Sequence, residues 1–337
     1  MKQLLETAKA QLEQNNDLAL VTVIASSGAT PRGAGAHMLV SKEGRLYGTI
    51  GGGAVEHRSI DIAKTVIEEG TARTHDFSLT KEDVQNLGMI CGGDVRVFFS
   101  VLSASDPNVR ALVEAASMRF AGGKNLWLVC DVSENGTLAL YDREHGFIGA
   151  PMPQALTEML TRKPQLISVD HRQYYVEQIN SAGVVYVFGC GHVAQELVPV
   201  LSHVGFRCIA MDDREEFAQK TLFPDADEVL LVDFDRLSDF IQVGEEDYAC
   251  VMTRGHAYDA VIQAQLLRTP ACYIGVIGSA RKKAGVYQKL REEYGFTDDD
   301  FARITSPIGL SIKAETPAEI AISIAAQMIE HRANRLK

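Results

Sequence analysis

A glycine-rich turn between an apolar run and a helical pattern constrains the fold of this 337-residue chain most strongly. The turn reads Gly-Cys-Gly-His-Val-Ala over residues 189–194 and follows the β-rich run 184–188. It fits the G-x-G-x-x-A pattern of dinucleotide-binding units, in which an acid about 20 residues further on bonds a ribose hydroxyl. Asp212 follows Gly189 by 23 residues. The pattern therefore predicts a Rossmann-like βαβ unit with Gly189, Gly191 and Asp212 in its nucleotide site.

Further apolar runs alternate with helical segments after this turn, at residues 206–211, 228–232, 248–253 and 272–277. Such alternation is typical of a doubly wound parallel sheet, in which ligands bind beyond the carboxyl ends of the strands. Two polar loops follow the last two runs. The candidate ligand residues in these loops are Thr253, His256 and Ser279, the last at a Gly-Ser turn followed by three cations.

A second glycine cluster lies in the N-terminal part, where Gly51, Gly52 and Gly53 separate a short apolar strand from a helical pattern. Consecutive glycines at a helix start let backbone N–H groups approach an anion. Upstream lies a long polar loop, in which the candidate ligand residues are Ser27, Thr30 and Arg32. Downstream, Cys91 precedes Gly92 and Gly93, which makes this thiol a candidate soft ligand or nucleophile.

The chain length predicts two domains. We expect a mixed α/β domain over residues 1–150, a connecting region over 151–182 that contains one strand, and the Rossmann-like domain over 183–337. The formal net charge of −11 argues against general binding to nucleic acid or to anionic membranes. The first residues do not have the pattern of a signal peptide and no apolar run reaches about 18 residues, so a cytoplasmic location is expected.

The six cysteines form no CxxC motif, zinc-finger spacing or disulfide framework. Four of them lie in apolar, strand-like runs, where buried reduced thiols are expected: Cys130, Cys208, Cys250 and Cys272. Cys190 and Cys91 lie in glycine-rich turns. For Cys190, a small filler in a tight turn competes with a thiol activated by the helix start.

Seven segments together resemble the XdhC/CoxI family of xanthine dehydrogenase accessory proteins, in the same order along nearly the whole chain. They are SSGATPRGAGAHMLV, GTIGGGAVEH, MICGGDVRVFF, GCGHVA, TRGHAYD, YIGVIGSARKK and SPIGLSIKAETPAEIAISI. By position, the glycine triplet and Cys91-Gly92-Gly93 match the motifs of the family's first domain. Gly189, Gly191, His192 and Asp212 match those of its second domain. Two residues depart from the pattern, Arg254 where His is commoner and Cys190 where Ala is commoner, and the latter supports a filler role.

The resemblance implies a chaperone-like factor that binds the molybdenum cofactor, assists its sulfuration with a cysteine desulfurase, and delivers it to an apo-enzyme of the xanthine dehydrogenase type. Cys91 would contact the molybdenum or the sulfur being delivered, which suits a soft thiolate. The glycine triplet and the loop that carries Arg32 would hold the pterin phosphate. The second domain is a candidate site for NAD(P) or another nucleotide, and a homodimer is expected from base rates.

Two other functions are compatible with the residues. The first is an NAD(P)-dependent oxidoreductase that uses the second domain, although the sequence offers no obvious acid/base pair for hydride transfer beyond His256. The second is a docking protein whose Rossmann-like domain binds nothing. A non-enzymatic maturation factor is the preferred interpretation.

Overall fold

The structure, a computed structural model, describes residues 1–28, 30, 32–78, 93–121, 125–133, 136–180, 183–254 and 258–335. The chain divides into two compact units, Met1–Ser181 and Ala182–Lys337. Within the described ranges, no helix is long and apolar enough to cross a membrane. The predicted fold class is confirmed, because antiparallel sheets with helices form the first unit and a parallel sheet forms the second.

The first sheet of the N-terminal unit is antiparallel and has the strand order β3-β2-β1-β5-β4. Its central strand, β1, buries residues on both faces, because one helix packs on one face of the sheet and two helices share a core with the second sheet of the unit on the other face. The elements are α1 (Lys2–Glu13), β1 (Leu18–Gly28), β2 (His37–Val40), β3 (Arg45–Gly48), α2 (Gly53–Glu69), β4 (Arg73–Ser78) and β5 (Gly93–Leu102).

The second sheet of this unit has the order β8-β7-β6-β10-β9 and is also antiparallel. Residues 151–180, which lie within the predicted connecting region 151–182 with its one strand, supply two of the strands of this sheet, and the longer one pairs with β6. The shorter strand was not predicted from the sequence, because turn residues separate it from the longer one. The elements are α3 (Pro107–Ala121), β6 (Leu126–Asp131), β7 (Leu138–Asp142), β8 (Gly146–Gly149), a 3-10 helix (Gln154–Glu158), β9 (Gln165–Val169) and β10 (Arg172–Asn180).

The second unit contains a six-stranded parallel sheet of order β13-β12-β11-β14-β15-β16. The order reverses beside β11, which is where doubly wound sheets bind ligands. The elements are β11 (Val184–Phe188), α4 (His192–His203), β12 (Arg207–Asp212), a 3-10 helix (Lys220–Leu222), β13 (Glu228–Leu231), a 3-10 helix (Phe234–Asp239), β14 (Tyr248–Val251), α5 (Asp259–Leu267), β15 (Tyr273–Val276), α6 (Ala280–Tyr294), α7 (Asp298–Phe301), β16 (Ile304–Thr305) and α8 (Pro317–Arg335).

Both faces of this sheet are buried, which explains why its strands read as continuous apolar runs rather than as alternating ones. Along β11, Val185 and Val187 pack with α4 and α8, whereas Tyr186 and Phe188 pack with α5 and α6 on the opposite face. The helices cover the two faces of the sheet, and the loops that carry the candidate ligand residues lie at its carboxyl edge.

Candidate functional site

A cavity of about 610 Å³ opens in the first unit beside the strand that precedes the glycine triplet. It brings together two regions that the sequence singles out separately, because Arg32 of the polar loop and Thr49 both line it. Arg45 adds a second guanidinium. The other lining residues are Met1, Leu4, Gly35, His37, Leu46, Tyr47 and Gly48.

The backbone conformation explains why three glycines stand together here, which the sequence alone did not show. Gly51, Gly52 and Gly53 have φ angles of 129°, 77° and 65°, in a range that residues with a Cβ rarely adopt. This backbone turns the chain from β3 into α2. The predicted helix start after the triplet is therefore observed, and its glycines are required by geometry before any ligand is considered.

The Glu56 carboxylate accepts hydrogen bonds from backbone N–H groups at the glycine triplet, where the sequence predicts an anionic ligand. Glu56 Oε2 accepts hydrogen bonds from the N–H groups of Ile50 (3.1 Å) and Gly52 (3.0 Å) and from the Thr49 hydroxyl. The Gly51 N–H donates to Thr49 Oγ1 at 3.1 Å. The N–H groups of Gly51 and Gly52 are therefore taken by side chains of the protein, which corrects the anion-binding role predicted for them.

The same network keeps Glu56 ionised although it is buried. Burial alone would raise its pKa, but the hydrogen bonds from Thr49, Gly52 and Ile50, together with the charge of Arg45, lower it below the ordinary value. Arg45 Nη1 lies 2.9 Å from Glu56 Oε1. Because half of the Arg45 side chain is exposed, this arginine reaches both the carboxylate and the cavity.

The polar loop starts beside the strand that follows the Cys-Gly-Gly motif. At the end of β1, Ser27 pairs with Asp94 and Gly28 pairs with Gly93, and Ser27 Oγ donates to Asp94 Oδ2 at 3.3 Å. Thr30 is half-buried in this loop. Cys91 and Gly92 lie outside the described residues. The structure thus joins Gly93 to the beginning of the loop whose other end carries Arg32.

A buried polar chain behind the cavity was missed by sequence reasoning. His37 Nε2 lies 2.7 Å from Glu177 Oε2, which also accepts from the Tyr175 hydroxyl at 2.7 Å. His37 Nδ1 lies 3.0 Å from the Thr22 hydroxyl. These residues are separated by up to 155 positions in the sequence (177 − 22), so no local motif announces them. This hydrogen-bonded network links the two sheets of the unit and holds His37 in the wall of the cavity.

In the second unit, the glycine turn has the shape that its motif predicts. Gly189 has φ 104°, and a Cβ there would lie 2.7 Å from the Met252 carbonyl oxygen. Gly191 is the N-cap of α4, and a Cβ there would meet no atom within 4 Å. His192 is exposed at the first position of the helix. Open space at Gly191 fits the close approach of a pyrophosphate.

The structure assigns Asp212 a different role from the predicted contact with a ribose. Its side chain is 1% exposed, and its two oxygens accept from the Cys190 N–H (2.8 Å), the Arg214 N–H (3.1 Å), Arg214 Nε (2.8 Å) and Arg214 Nη2 (3.0 Å). A carboxylate offers about four lone-pair sites. Asp212 is therefore saturated by the protein, and it locks the glycine turn to Arg214.

The loops after β14 and β15 meet through a buried ion pair. Asp259 Oδ1 accepts from the Thr253 hydroxyl at 2.5 Å, and its Oδ2 lies 2.7 Å from Lys282 Nζ. Ser279 caps α6 by accepting from the Lys282 N–H. Thr253 and Ser279 are thus brought together through Asp259 and Lys282, which were not among the predicted ligand residues. His256 lies outside the described residues.

Burial controls the chemistry of the cysteines in the described part of the chain. Cys130, Cys190, Cys208 and Cys250 are buried, and Cys272 is half-buried. Burial raises the pKa of every one of these thiols, to about 12 for Cys190 and to about 11 for Cys272. The high pKa and full burial of Cys190 fit the filler role rather than an activated thiol.

The polar lining of the cavity suits a small organic anion. Two arginines and a threonine line a cavity large enough for a small organic ligand, and arginine is well suited to phosphate. Among the described residues, no group of three His, Cys, Asp or Glu side chains could hold a metal ion.

Comparisons with known proteins agree with this architecture. The family model described as the XdhC Rossmann domain matches residues 185–328, and that of the XdhC and CoxI family matches residues 11–78. The chain is 26% identical to a Bacillus subtilis protein, a probable xanthine dehydrogenase subunit, with 96% of each chain covered. It is 24% identical to the uncharacterized protein YqeB of Escherichia coli and spans about half of that protein's length, 46%.

A solved structure gives the same result for the whole fold. The crystal structure of a xanthine dehydrogenase from Bacillus halodurans superposes with a TM-score of 0.79 at 27% identity, over 98% of this chain and 96% of that one. Both units are therefore shared with that protein.

Proposed function

This chain belongs to the XdhC and CoxI family, and on that premise we propose that it binds the molybdenum cofactor, assists its sulfuration, and inserts it into a molybdenum hydroxylase. Family membership supports the coarser statement, an accessory role associated with xanthine dehydrogenase. The finer proposal rests on one observation: the loop residue Arg32 and Thr49, which precedes the glycine triplet, line a single cavity of about 610 Å³.

Within this proposal, Arg32 and Arg45 neutralise the pterin phosphate. The cavity wall formed by Thr49 limits how deeply this phosphate enters. Cys91 contacts the molybdenum or its terminal sulfur, since thiolates are soft ligands. The desulfurase would supply the sulfur, the cofactor is the cargo that is passed on, and this protein contributes binding and protection. The partners are an apo-enzyme of the xanthine dehydrogenase type and a cysteine desulfurase, with a homodimer as the acting species.

Purification from a host with active molybdopterin synthesis tests this function directly. We expect about one pterin and one molybdenum per chain, measured by mass spectrometry and metal analysis. Protein that carries neither group under these conditions would contradict the proposal. If nucleotide binding survived in such a protein, the oxidoreductase alternative would gain support.

Replacing Cys91 by Ala should lower the molybdenum retained through gel filtration by about tenfold or more, because a direct thiolate contact is lost. The control is Cys272→Ala, which removes a half-buried thiol of the second unit. Metal content per chain is measured for both variants alongside their melting temperatures. Equal molybdenum retention by both folded variants would exclude the proposed contact at Cys91.

Arg32→Gln should weaken retention of the phosphorylated pterin by about tenfold, since a hydrogen bond to a charged group contributes about 1.5 kcal/mol or more. The effect should shrink at high ionic strength because Arg32 is exposed. Arg143→Gln removes an exposed arginine of the same unit outside the cavity and is the matched control. Pterin retention is measured by fluorescence after oxidative release, and equal loss in both variants would argue against a phosphate site at Arg32.

An NAD(P)-dependent oxidoreductase remains the second candidate because Gly191 leaves open space at the predicted pyrophosphate position. Its test is reduction of the nicotinamide by the purified protein with candidate substrates. We expect nucleotide binding without turnover. Steady-state reduction of NAD(P) that is lost in a Gly191 variant would favour the enzyme instead.

A further inference from the structure

The last helix, α8, has apolar side chains on two of its sides. One side lies in the core of the second unit through Ala321, Ile324, Ala325 and Met328. A second side faces solvent, where Ile322 is 52% exposed and Ile329 is 39% exposed. The two isoleucines lie on the same side of the helix because seven positions make almost two full turns. The solvent side of a surface helix usually carries charged or polar residues, so this pair departs from the expected pattern.

The apolar residues on the solvent side form a row that reads the same in both directions. Ala318 and Ala333 are exposed at its two ends, and Ala326 is half-buried between Ile322 and Ile329. These positions recur at intervals of three and four residues, which places them along one side of about 22 Å of helix. The order Ala, Ile, Ala, Ile, Ala is symmetric about its centre. A twofold dimer requires a surface of this kind, because the same patch of both copies must fit itself.

An antiparallel pair of α8 helices matches the row to itself. When the twofold axis passes beside Ala326, Ile322 lies against the partner's Ile329, and Ala318 lies against the partner's Ala333. The side chain of Ala326 is then at the crossing point. Because it is small, the two helices can approach closely there, and the isoleucines can pack on either side of the crossing.

The charges of α8 favour the antiparallel direction over the parallel one. Glu319 lies in the first turn, whereas Arg332 and Arg335 lie in the last turn. An antiparallel pair brings the acidic turn of one copy to the basic turn of the other, and a parallel pair would bring like charges together. Arg335 already lies 3.5 Å from Glu246 at a partly exposed position. The charges therefore select the direction, and the apolar row provides most of the attraction.

A turn beside the helix enlarges the apolar surface. Ser323 Oγ donates to the Leu310 carbonyl oxygen at 2.6 Å, which holds the turn after β16 against α8. Ile312 lies two residues further along this turn and is 50% exposed. One helix pair buries less than the about 800 Å² per partner that is typical of stable interfaces. The turn adds apolar area that the helix alone lacks.

We propose that two copies of this chain form an antiparallel twofold dimer through the solvent side of α8 and the turn that carries Ile312. The inference assigns a surface to the homodimer named in the proposed function, and it does not involve the cavity that binds the pterin phosphate there. Because the surface is small for a dimer interface, the two copies should exchange at micromolar concentrations.

Sedimentation velocity of the whole chain, from about 1 µM to about 100 µM, measures the association. Ile322→Glu and Ile329→Glu should each raise the dimer dissociation constant by about tenfold or more, because each places a charge in the apolar centre of the interface. Leu231→Glu is the matched control, since Leu231 is 51% exposed on β13 of the same unit. This variant should dimerise like the wild type, and melting temperatures check that all three variants fold.

Single cysteines test the direction of the helices. Under mild oxidation, Ala326→Cys should give a disulfide-linked dimer well above the wild-type background, because the two copies of position 326 meet at the crossing. Ala318→Cys should stay at the background that the native thiols set, since its two copies are about 24 Å apart in an antiparallel pair. Efficient linkage through Ala318→Cys would indicate parallel helices and overturn the arrangement.

Two results in solution would overturn the surface itself. One is a wild type that stays monomeric at about 100 µM, and the other is a dimer that Leu231→Glu dissociates while the α8 variants leave it intact. Pterin retention, measured on the same samples, separates this proposal from the cofactor function. A dimer as described that retains no pterin would leave the surface standing and contradict the cofactor function. A monomer that retains the pterin would reject the surface and leave cofactor binding intact.

Discussion

Gly189→Ala should lower the free energy of unfolding of the second unit by about 3 kcal/mol or more. At φ 104° an alanine is strained in any surroundings, and its Cβ would lie 2.7 Å from the Met252 carbonyl oxygen and 2.9 Å from Thr253 Cα. Both contacts are with backbone at the end of β14, so no flexible side chain can move aside. Relief requires that β11 and β14 separate at the centre of the parallel sheet.

Gly191→Ala is the matched control, two residues further on. Gly191 has an extended backbone with φ −74°, and a Cβ there meets no atom within 4 Å. Its unfolding free energy should change by less than about 1 kcal/mol. Denaturant titration followed by circular dichroism measures both variants, and hydrogen exchange should localise the loss in Gly189→Ala to β11 and β14. Equal stability of the two variants would contradict the packing argument.

The two glycine variants also distinguish an effect on folding from an effect on nucleotide binding. Because a methyl group at Gly191 fills the space where a pyrophosphate would approach, Gly191→Ala should lose nucleotide affinity without losing stability. Gly189→Ala should lose both. Unchanged affinity in Gly191→Ala would indicate that any nucleotide binds elsewhere on the unit.

Glu56→Ala should destabilise the first unit by about 3 kcal/mol, because it leaves the Thr49 hydroxyl and the N–H groups of Ile50 and Gly52 without their acceptor. The Ile50 N–H is buried and the other two donors are half-buried, so water replaces the carboxylate only in part. Glu68→Ala, at an exposed position of the same helix, is the control and should change stability by less than about 0.5 kcal/mol. The fluorescence of Trp127, the single tryptophan and a residue of this unit, reports the transition.

The contribution of Glu56 should depend on pH in one direction. Its pKa in the folded protein lies below the ordinary value of 4.5, so the unfolded chain takes up the proton first as the pH falls. The stabilisation is therefore complete above about pH 5 and is lost as the pH falls through the lower folded-state pKa. The stability difference between wild type and Glu56→Gln should shrink over that range. A difference that stayed constant down to about pH 3 would contradict the ionised state of Glu56.

The parallel sheet of the second unit was predictable because its signals are local. The apolar runs, the helix starts and the glycine turn each span fewer than about ten residues. The start of α8 is one such local signal: its capping box has Thr316 Oγ1 accepting from the Glu319 N–H and the Glu319 carboxylate accepting from the Thr316 N–H. The second sheet of the first unit was harder because its strands pair across long intervals and turn residues interrupt them.

The sequence predicted which residue types form the candidate sites, but not which groups those residues contact. Glycine triplets and an acid after the second strand indicate anion and ribose binding only if their polar atoms are free. Here the Gly52 N–H of the triplet donates to Glu56, and Arg214 donates to the carboxylate of Asp212. The sequence places Glu56 a few residues after the triplet and Arg214 two residues after Asp212, yet a pattern of letters does not indicate which way a side chain turns. The buried pair of Asp259 and Lys282 needs tertiary structure to be seen at all.

The burial of the cysteines determines where sulfur can be exchanged on this chain. Persulfides and alkylating reagents react with thiolates, and Cys130, Cys190, Cys208 and Cys250 are buried thiols with raised pKa values. At neutral pH these four thiols are therefore poor nucleophiles. A persulfide found on the folded protein by mass spectrometry should therefore map to a position other than these four thiols.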